Sequence, residues 1–387
     1  MSGDPEQEHF VDGVTESLTT DLSRIGGSFV IGRNTAFTYK GRHVDAKQIG
    51  SELNVRYILE GSVERAGARM RVNVQLIEPE SGKHLWAERF DKPVADLFDM
   101  QDEIVARLAN ALSAQLFAAE ARRAERKPNL DSMDLCFQGF AWRNKSVTAD
   151  NLAQARRLFE RAAALDSANV FAPIGLAAVD IQVATSFLAD DRAARLAAAE
   201  QALTTALSMA PENALAHLLL GVVQMHTDRA PQGVGSCERA LELDRNLAAA
   251  HAQIGDGKLL LGQPEETEGH IQEALRLSPR DTHVYLWCMF AALAKLSLGQ
   301  EEESVAWLRR SIETNRNYPS SHFLLAAALA RLGRLPEART EARAGLAINP
   351  TFTISRFRAG ASGYDHLAGG EWERNIDGLR KAGVPEE

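Results

Sequence analysis

ERAAALDSAN (160–169), TTALSMAPEN (204–213), ERALELDRNL (238–247), QEALRLSPRD (272–281), RRSIETNRNY (309–318) and ARAGLAINPT (342–351) are variants of one phrase. Their small residues Ala206, Ala240, Ala274, Ser311 and Gly345 stand 34, 34, 37 and 34 residues apart. The loop residues Pro211, Arg245, Pro279, Arg316 and Pro350 keep the same spacing. Ala162 precedes Ala206 by 44, so that unit carries about ten residues beyond the 34-residue period. A period of this length is that of a helical hairpin. Small residues let its two helices approach, and Pro or Asp near the end stops the second helix. One hairpin cannot bury its apolar stripe alone, so stacked neighbours must bury it together.

Within the units, Leu220-Gly221 and Ile254-Gly255 supply one large and one small residue to a first helix, and Ala199 and Ala338 sit where the second helix crosses it. The expectation is a helical solenoid of six units over 132–350. After Pro350 the pattern fades. The end reads as one amphipathic helix with Trp372, Ile376 and Leu379 on a face, stopped by Gly383 and Pro385, which makes 351–387 a capping region.

The first 118 residues read differently. Pro5 follows a candidate N-cap, Asp4, and Phe10, Val14, Leu18, Leu22 and Ile25 form an apolar stripe over a helix at 5–25. Gly26-Gly27 ends it, and SFVIGR (28–33) reads as a short strand. A helix at 45–54 with Asp45 as cap turns Ile49 and Leu53 inward. A meander follows, with strands at 55–65, 69–78 and 84–90; Met70, Val72, Val74 and Leu76 alternate onto one face. A longer helix at 96–118 stacks Ile104, Leu108, Leu112 and Leu116, and the charged segment 119–131 reads as a linker. The fold class expected is α/β plus all-α: a small mixed sheet, then the solenoid. The opening looks like a βα unit without its first strand, which another segment or residues further upstream would supply.

Composition bounds the function. The chain has 387 residues, 45% of them hydrophobic and 25% charged, with a net charge of −9. That balance argues against nucleic acid as the main partner, and the basic residues between Arg33 and Lys92 are interleaved with acids such as Glu52, Glu60 and Glu88. No apolar run reaches the length of a membrane span, and MSGDPEQEHF (1–10) lacks the basic start and apolar core of an export signal. Three widely spaced cysteines, Cys136, Cys237 and Cys288, suit reduced buried thiols in a cytoplasm.

The set SGDPEQEHFVDGVTESLTTDLSRI (2–25), FVIGRNTAFTYKGR (29–42), ILEGSV (58–63), LIEPESGKHLWAERFD (76–91), LFDMQDEI (97–104) and GLRKAGVPE (378–386) resembles a bacterial family. It pairs a domain like the N-terminal domain of TolB with tetratricopeptide repeats. The resemblance covers nearly the whole chain. Family members often carry an upstream effector, either a class III adenylate/guanylate cyclase domain or a winged-helix DNA-binding domain, and nothing in these residues matches either. The resemblance therefore implies a regulatory or interaction half without catalytic activity of its own.

The search for chemistry agrees. Gly255-Asp256-Gly257-Lys258 has neither the length nor the setting of a phosphate loop. The histidines are scattered with no metal spacing, and His217, His251 and His322 recur at one repeat position that suits packing. No cofactor and no metal is expected. Two candidate sites emerge. One is the concave face of the array, where Leu218, Val222, Met225, His226, Leu286, Phe290, Phe323 and Ala327 point inward. The lysine and asparagine set that clamps a terminal carboxylate in chaperone-binding arrays is absent. An apolar groove of this kind suits an amphipathic helix or apolar peptide, with packing inside the solenoid as the competing reading. The other is the loop GRNTAFTYKGRH (32–43), where Arg33, Thr38, Tyr39, Lys40 and Arg42 offer donors to an anion, against a plain polar loop. The functions expected are a scaffold binding a protein partner, the regulatory half of a cyclase, or a small-molecule sensor. Self-association of the chain is left open.

Overall fold

The computed structural model describes residues 13, 15–16, 19–20, 30–39, 42, 44–66, 68–93, 96–125, 127, 129–145, 147–186, 191–360 and 370–387. Two compact units divide the chain: Met1–Ala119 with Arg276–Ser278, and Glu120–Leu275 with Pro279–Glu387.

The first unit is built on a three-stranded antiparallel sheet, β1 (Ile58–Ala66), β2 (Arg69–Glu78) and β3 (Lys83–Pro93), in that order. Period-two alternation makes it. Met70, Val72, Val74 and Leu76 of β2 are buried while Arg71, Asn73 and Gln75 between them are not. A register shift at Leu76/Ile77 breaks the alternation and buries Ile77 as well. The buried face packs on Ile104 and Val105 of α3 (Leu97–Ala124). Glu103, next to them, is also buried; it is held by Lys92 and by Arg107 at 2.6 Å.

Two short helices precede the sheet, α1 (Arg33–Phe37) and α2 (Ala46–Leu53). Asp45 caps α2, its carboxylate accepting from Lys47 N at 3.1 Å. The expected strand at 28–33 is corrected in its described part: residues 30–32 form no strand and Arg33 opens α1. The described sheet is therefore antiparallel throughout rather than mixed. The stripe Phe10, Val14, Leu18, Leu22 and Ile25 lies outside the described residues, although 13, 15, 16, 19 and 20 are helical. The segment 119–131 is corrected too, since α3 continues through Ala124.

The second unit stacks six helical hairpins among its described residues. They are α4 (Ser132–Arg143) with α5 (Ala149–Leu165), α6 (Phe171–Thr185) with α7 (Arg192–Met209), α8 (Ala214–Met225) with α9 (Ala230–Leu243), α10 (Ala248–Leu260) with α11 (Pro264–Leu277), α12 (Val284–Ser297) with α13 (Glu301–Thr314), and α14 (Pro319–Arg331) with α15 (Leu335–Ile348). Ala206, Ala240, Ala274 and Ser311 are fully buried where the second helices cross the first. Ser311 uses its hydroxyl there, donating to the Tyr285 carbonyl at 2.6 Å. A Cβ on Gly221 would lie 2.7 Å from the Gly233 carbonyl oxygen, so α8 and α9 touch backbone to backbone. The turns inside hairpins three to six each place one residue in the left-handed region: Asp228, Gly262, Gly299 and Gly333. Beyond them lie α16 (Ile354–Gly360) and α17 (Glu371–Lys381).

Candidate partner-binding groove

The first helices of the hairpins line a concavity of about 280 Å³ within the second unit. Its wall runs from Phe140 on α4, through Ile181 on α6, Leu219 on α8 and Phe290 on α12, to Leu324 on α14. Phe357 of α16 and Trp372 of α17 complete it. The repeat spacing carries this wall: Leu219, Gln253, Phe290 and Leu324 stand 34, 37 and 34 apart, and all four line it.

Of the inward set expected from the sequence, Leu218, Val222, His226, Leu286 and Phe290 line the concavity. Met225, Phe323 and Ala327 do not, and are corrected to core residues. Met225 is 1% exposed and fills the space left by Gly233 and Gly257, where a Cβ would lie 2.5 Å from its Cγ and 3.0 Å from its sulfur. Phe323 is fully buried, packs on Gly345 and stacks on Phe352 with ring centroids 3.7 Å apart. One residue along a helix is a rotation of about 100°. Phe323 therefore faces its partner helix while Leu324 faces the groove.

The groove also holds polar groups that the sequence reading missed: Arg143, Arg192, Gln182 and Gln253. Arg143 Nε, Gln182 Oε1 and Gln253 Oε1 are withdrawn from solvent and meet no hydrogen-bond partner. One signal was available, since Gln253 stands at the repeat position of Leu219, Phe290 and Leu324 and is the polar member of an apolar series. Arg192 Nη2 lies 3.3 Å from His226 Nδ1. An arginine can only donate, so Nδ1 accepts and the imidazole proton sits on Nε2.

Burial, with the Arg192 charge beside it, pushes the His226 pKa down to about 4. An unfolded histidine titrates near 6.5, so the depressed value stabilises the fold fully above that pH and progressively less as pH falls toward 4. The expected loss from this one group is about 2.5 kcal/mol between pH 7 and pH 4.5. Urea unfolding of wild type and His226→Gln at both pH values checks it. The variant should lose less stability on acidification by that amount, and equal losses would refute the assignment.

His217 and His322 do more than pack. His217 Nε2 lies 2.8 Å from the Pro211 carbonyl oxygen and His322 Nε2 lies 3.1 Å from that of Arg316, six residues back in each case. Burial raises the thiol pKa of Cys136 and Cys237 to about 12 and that of Cys288 to about 11, which keeps all three protonated and weakly nucleophilic. Among the described residues, no group of three or more His, Cys, Asp or Glu is arranged to hold a metal ion, and no helix is long and apolar enough to cross a membrane.

In the first unit the described part of the proposed anion loop contains the short helix α1, and Thr38, Tyr39 and Arg42 after it make hydrogen bonds within the unit. Tyr39 Oη donates to Glu52 Oε2 at 2.7 Å, Thr38 Oγ1 to the Thr35 carbonyl at 2.7 Å, and Arg42 Nη1 to the Thr38 carbonyl at 3.3 Å. The Arg33 side chain and Lys40 lie outside the described residues.

Comparison with known proteins bears on this architecture. The tetratricopeptide-repeat family model matches residues 285–318, the stretch from α12 through α13. A protein of Rhizobium meliloti (strain 1021) named "Putative adenylate cyclase 3" is 40% identical over 216 residues, which are 55% of this chain and 35% of that protein. The chain thus spans about a third of that relative's length. Among solved structures, human IFIT1 in its dimer with m7Gppp-AAAA has a TM-score of 0.52 at 13% identity, covering 76% of this chain and 70% of IFIT1. The Cut9–Hcn1 hetero-tetramer has a TM-score of 0.51 at 16% identity, covering 71% of this chain and 56% of that one. At such identities the likeness is one of fold. Residues 285–318 match a tetratricopeptide repeat, and the described residues are mostly helical with a small antiparallel three-stranded sheet.

Proposed function

We propose that the helical array is the partner-binding part of a non-catalytic bacterial signalling protein. The observation that carries this reading is the groove itself. Repeat helices converge on one continuous wall, mostly apolar, that ends on Phe357 and Trp372. An apolar concavity shaped by a rigid solenoid suits a peptide segment of a protein partner. The chain acts in the cytoplasm, where three buried protonated thiols stay reduced.

Leu286 is the residue to test, because it lines the groove and is only partly buried, so a charge there need not unfold α12. Partners crosslinked to the full chain in its own cells and quantified by mass spectrometry should fall at least about tenfold with Leu286→Arg, as expected for a hot-spot loss near 1.4 kcal/mol, with the melting temperature unchanged. An unaltered partner set would refute the groove.

A second reading places this chain as the regulatory half of an adenylate or guanylate cyclase, with a TolB-like first domain relaying the partner's binding. The relative named as a cyclase, nearly three times as long as its aligned portion, favours it. An antibody to the array, used on native cells, tests it. A band well above 42.3 kDa that co-purifies with cyclase activity supports the reading, and a band at that mass removes it.

A further inference from the structure

The groove is cationic although the chain carries a net charge of −9. Arg143 and Arg192 are its charged lining residues, and no carboxylate lines it among the described residues. His226 adds no charge at neutral pH, for the reason given above. Arg143 ends α4, is partly buried, and has its Nε out of reach of both water and acceptor. The Asp281 carboxylate acts on it only through space, because its hydrogen bonds go to His283 N at 2.8 Å and His283 Nδ1 at 3.1 Å. A guanidinium N–H left without an acceptor beside apolar side chains is costly unless an anion meets it.

Two amides complete the pattern. Gln182 Oε1 on α6 and Gln253 Oε1 on α10 are buried acceptors that nothing in the fold satisfies. A natural core rarely keeps such groups without use for them.

We infer that the groove binds an extended peptide segment with apolar side chains and one acidic side chain, the carboxylate meeting Arg143 and backbone N–H groups meeting Gln182 and Gln253. This rests on the groove being the partner site. The amides select the backbone form. A bound helix has spent its N–H groups internally beyond its first turn, and an acyl chain has none, so either would leave the glutamines unsatisfied. A nucleic acid would bring one phosphate per nucleotide to a groove whose only lining cations, among the described residues, are two arginines.

The test uses the full chain and three pools of fluorescein-labelled nonapeptides. Each is blocked at both ends and built from Leu, Ile, Val and Phe around a single central Glu, Gln or Lys. The Glu pool should bind about tenfold or more tighter than the Gln pool, and the Lys pool most weakly, since a charge-assisted hydrogen bond is roughly twice as strong as a neutral one. Arg143→Gln should erase the preference for Glu over Gln. Because Nε has no partner to lose, this variant should melt with wild type or slightly above it. Gln253→Leu should weaken the Glu and Gln pools alike and leave the preference intact. Failure of the Glu pool to bind wild type, or a Glu preference that survives Arg143→Gln, overturns the inference. So does displacement of the Glu pool by laurate or by an oligoadenylate at equal concentration. If the Glu and Gln pools bind alike and Leu286→Arg abolishes both, the acidic group is refuted while the groove stands. If no pool binds and Leu286→Arg also leaves the cellular partners unchanged, both fall.

Discussion

Phe159→Ala is expected to lower the stability of the array by about 3–5 kcal/mol, the usual cost of deleting a fully buried aromatic ring. The ring belongs to α5 and is fully buried. It lies between two glycines of first helices: a Cβ on Gly139 would come within 2.7 Å of it, and one on Gly175 within 2.2 Å. Phe140 meets its edge, with centroids 4.9 Å apart and planes at 69°. The sequence thus leaves α4 and α6 without side chains at these points, and one ring fills the space between three helices. Deleting it opens a cavity that neither glycine can fill, so the helices must collapse or leave it empty. Gly175→Ala should be costly for the opposite reason, overpacking. The loss should also be local at first, because a repeat array unfolds from its weakest unit. Urea titration should show an early transition, and hydrogen exchange should place it in 132–185 while 284–348 stays protected. A stability loss below about 1 kcal/mol would mean that the three helices close over the space.

The array was legible because its rule is periodic. Spacings of 34 and 37 between Ala206, Ala240, Ala274 and Ser311 place small residues at helix crossings, and the structure buries each of them. The left-handed turn residues Asp228, Gly262, Gly299 and Gly333 repeat at 34, 37 and 34 and were an equally readable signal that the sequence reading passed over. Facing within a helix was less legible. Small residues make a first helix apolar all round: in α12 the run from Tyr285 to Leu296 is buried but for Leu286. A stripe that wide does not say which edge faces the partner helix and which the groove, and Phe323 and Met225 were lost on that point.

In the first unit the alternation of β2 was legible for the same reason of period. The four residues SFVI (28–31) carry no period that separates a strand from any other apolar run, and RNTAF (33–37) forms a helix after the N-cap Gly32. AEARRA (119–124) looked like a charged linker, yet Ala, Glu and Arg are strong helix formers, and α3 runs through all six. The groove's polar members were the least legible. Arg143 closes the first hairpin's opening helix and Arg192 opens the second helix of the next, so no repeat position unites them. They share only the lining of one concavity.

Ile376→Asp is expected to undock α17 and leave the six hairpins folded. Ile376 and Leu379 are fully buried and Trp372 nearly so, on a helix whose opposite face is charged. Gly378 brings this helix close to α14, since a Cβ there would lie 2.8 Å from the Ala327 carbonyl oxygen. Polar ties accompany it: the buried Arg331 side chain donates to the buried Asn375 Oδ1 at 2.9 Å and to Glu301 Oε1 at 2.6 Å, and Ile354 N at α16 donates to the Pro385 carbonyl at 2.8 Å. An ionised carboxylate forced into the apolar seat costs several kcal/mol, more than an eleven-residue helix gains from its own hydrogen bonds. The introduced carboxylate would not reach Arg331, because one residue beyond Asn375 turns the side chain about 100° away. Hydrogen exchange should rise over 371–387 and remain slow over 284–331, and the far-ultraviolet signal should fall by about the share of one short helix. Because Trp372 and Phe357 form the end of the groove wall, the same variant should also weaken binding of the acidic apolar pool. If α17 undocks and binding is unchanged, this helix only covers the apolar face of the last hairpin. If the whole array melts together, the terminal helix is part of a single cooperative unit, and the groove cannot be opened at this end without losing the fold.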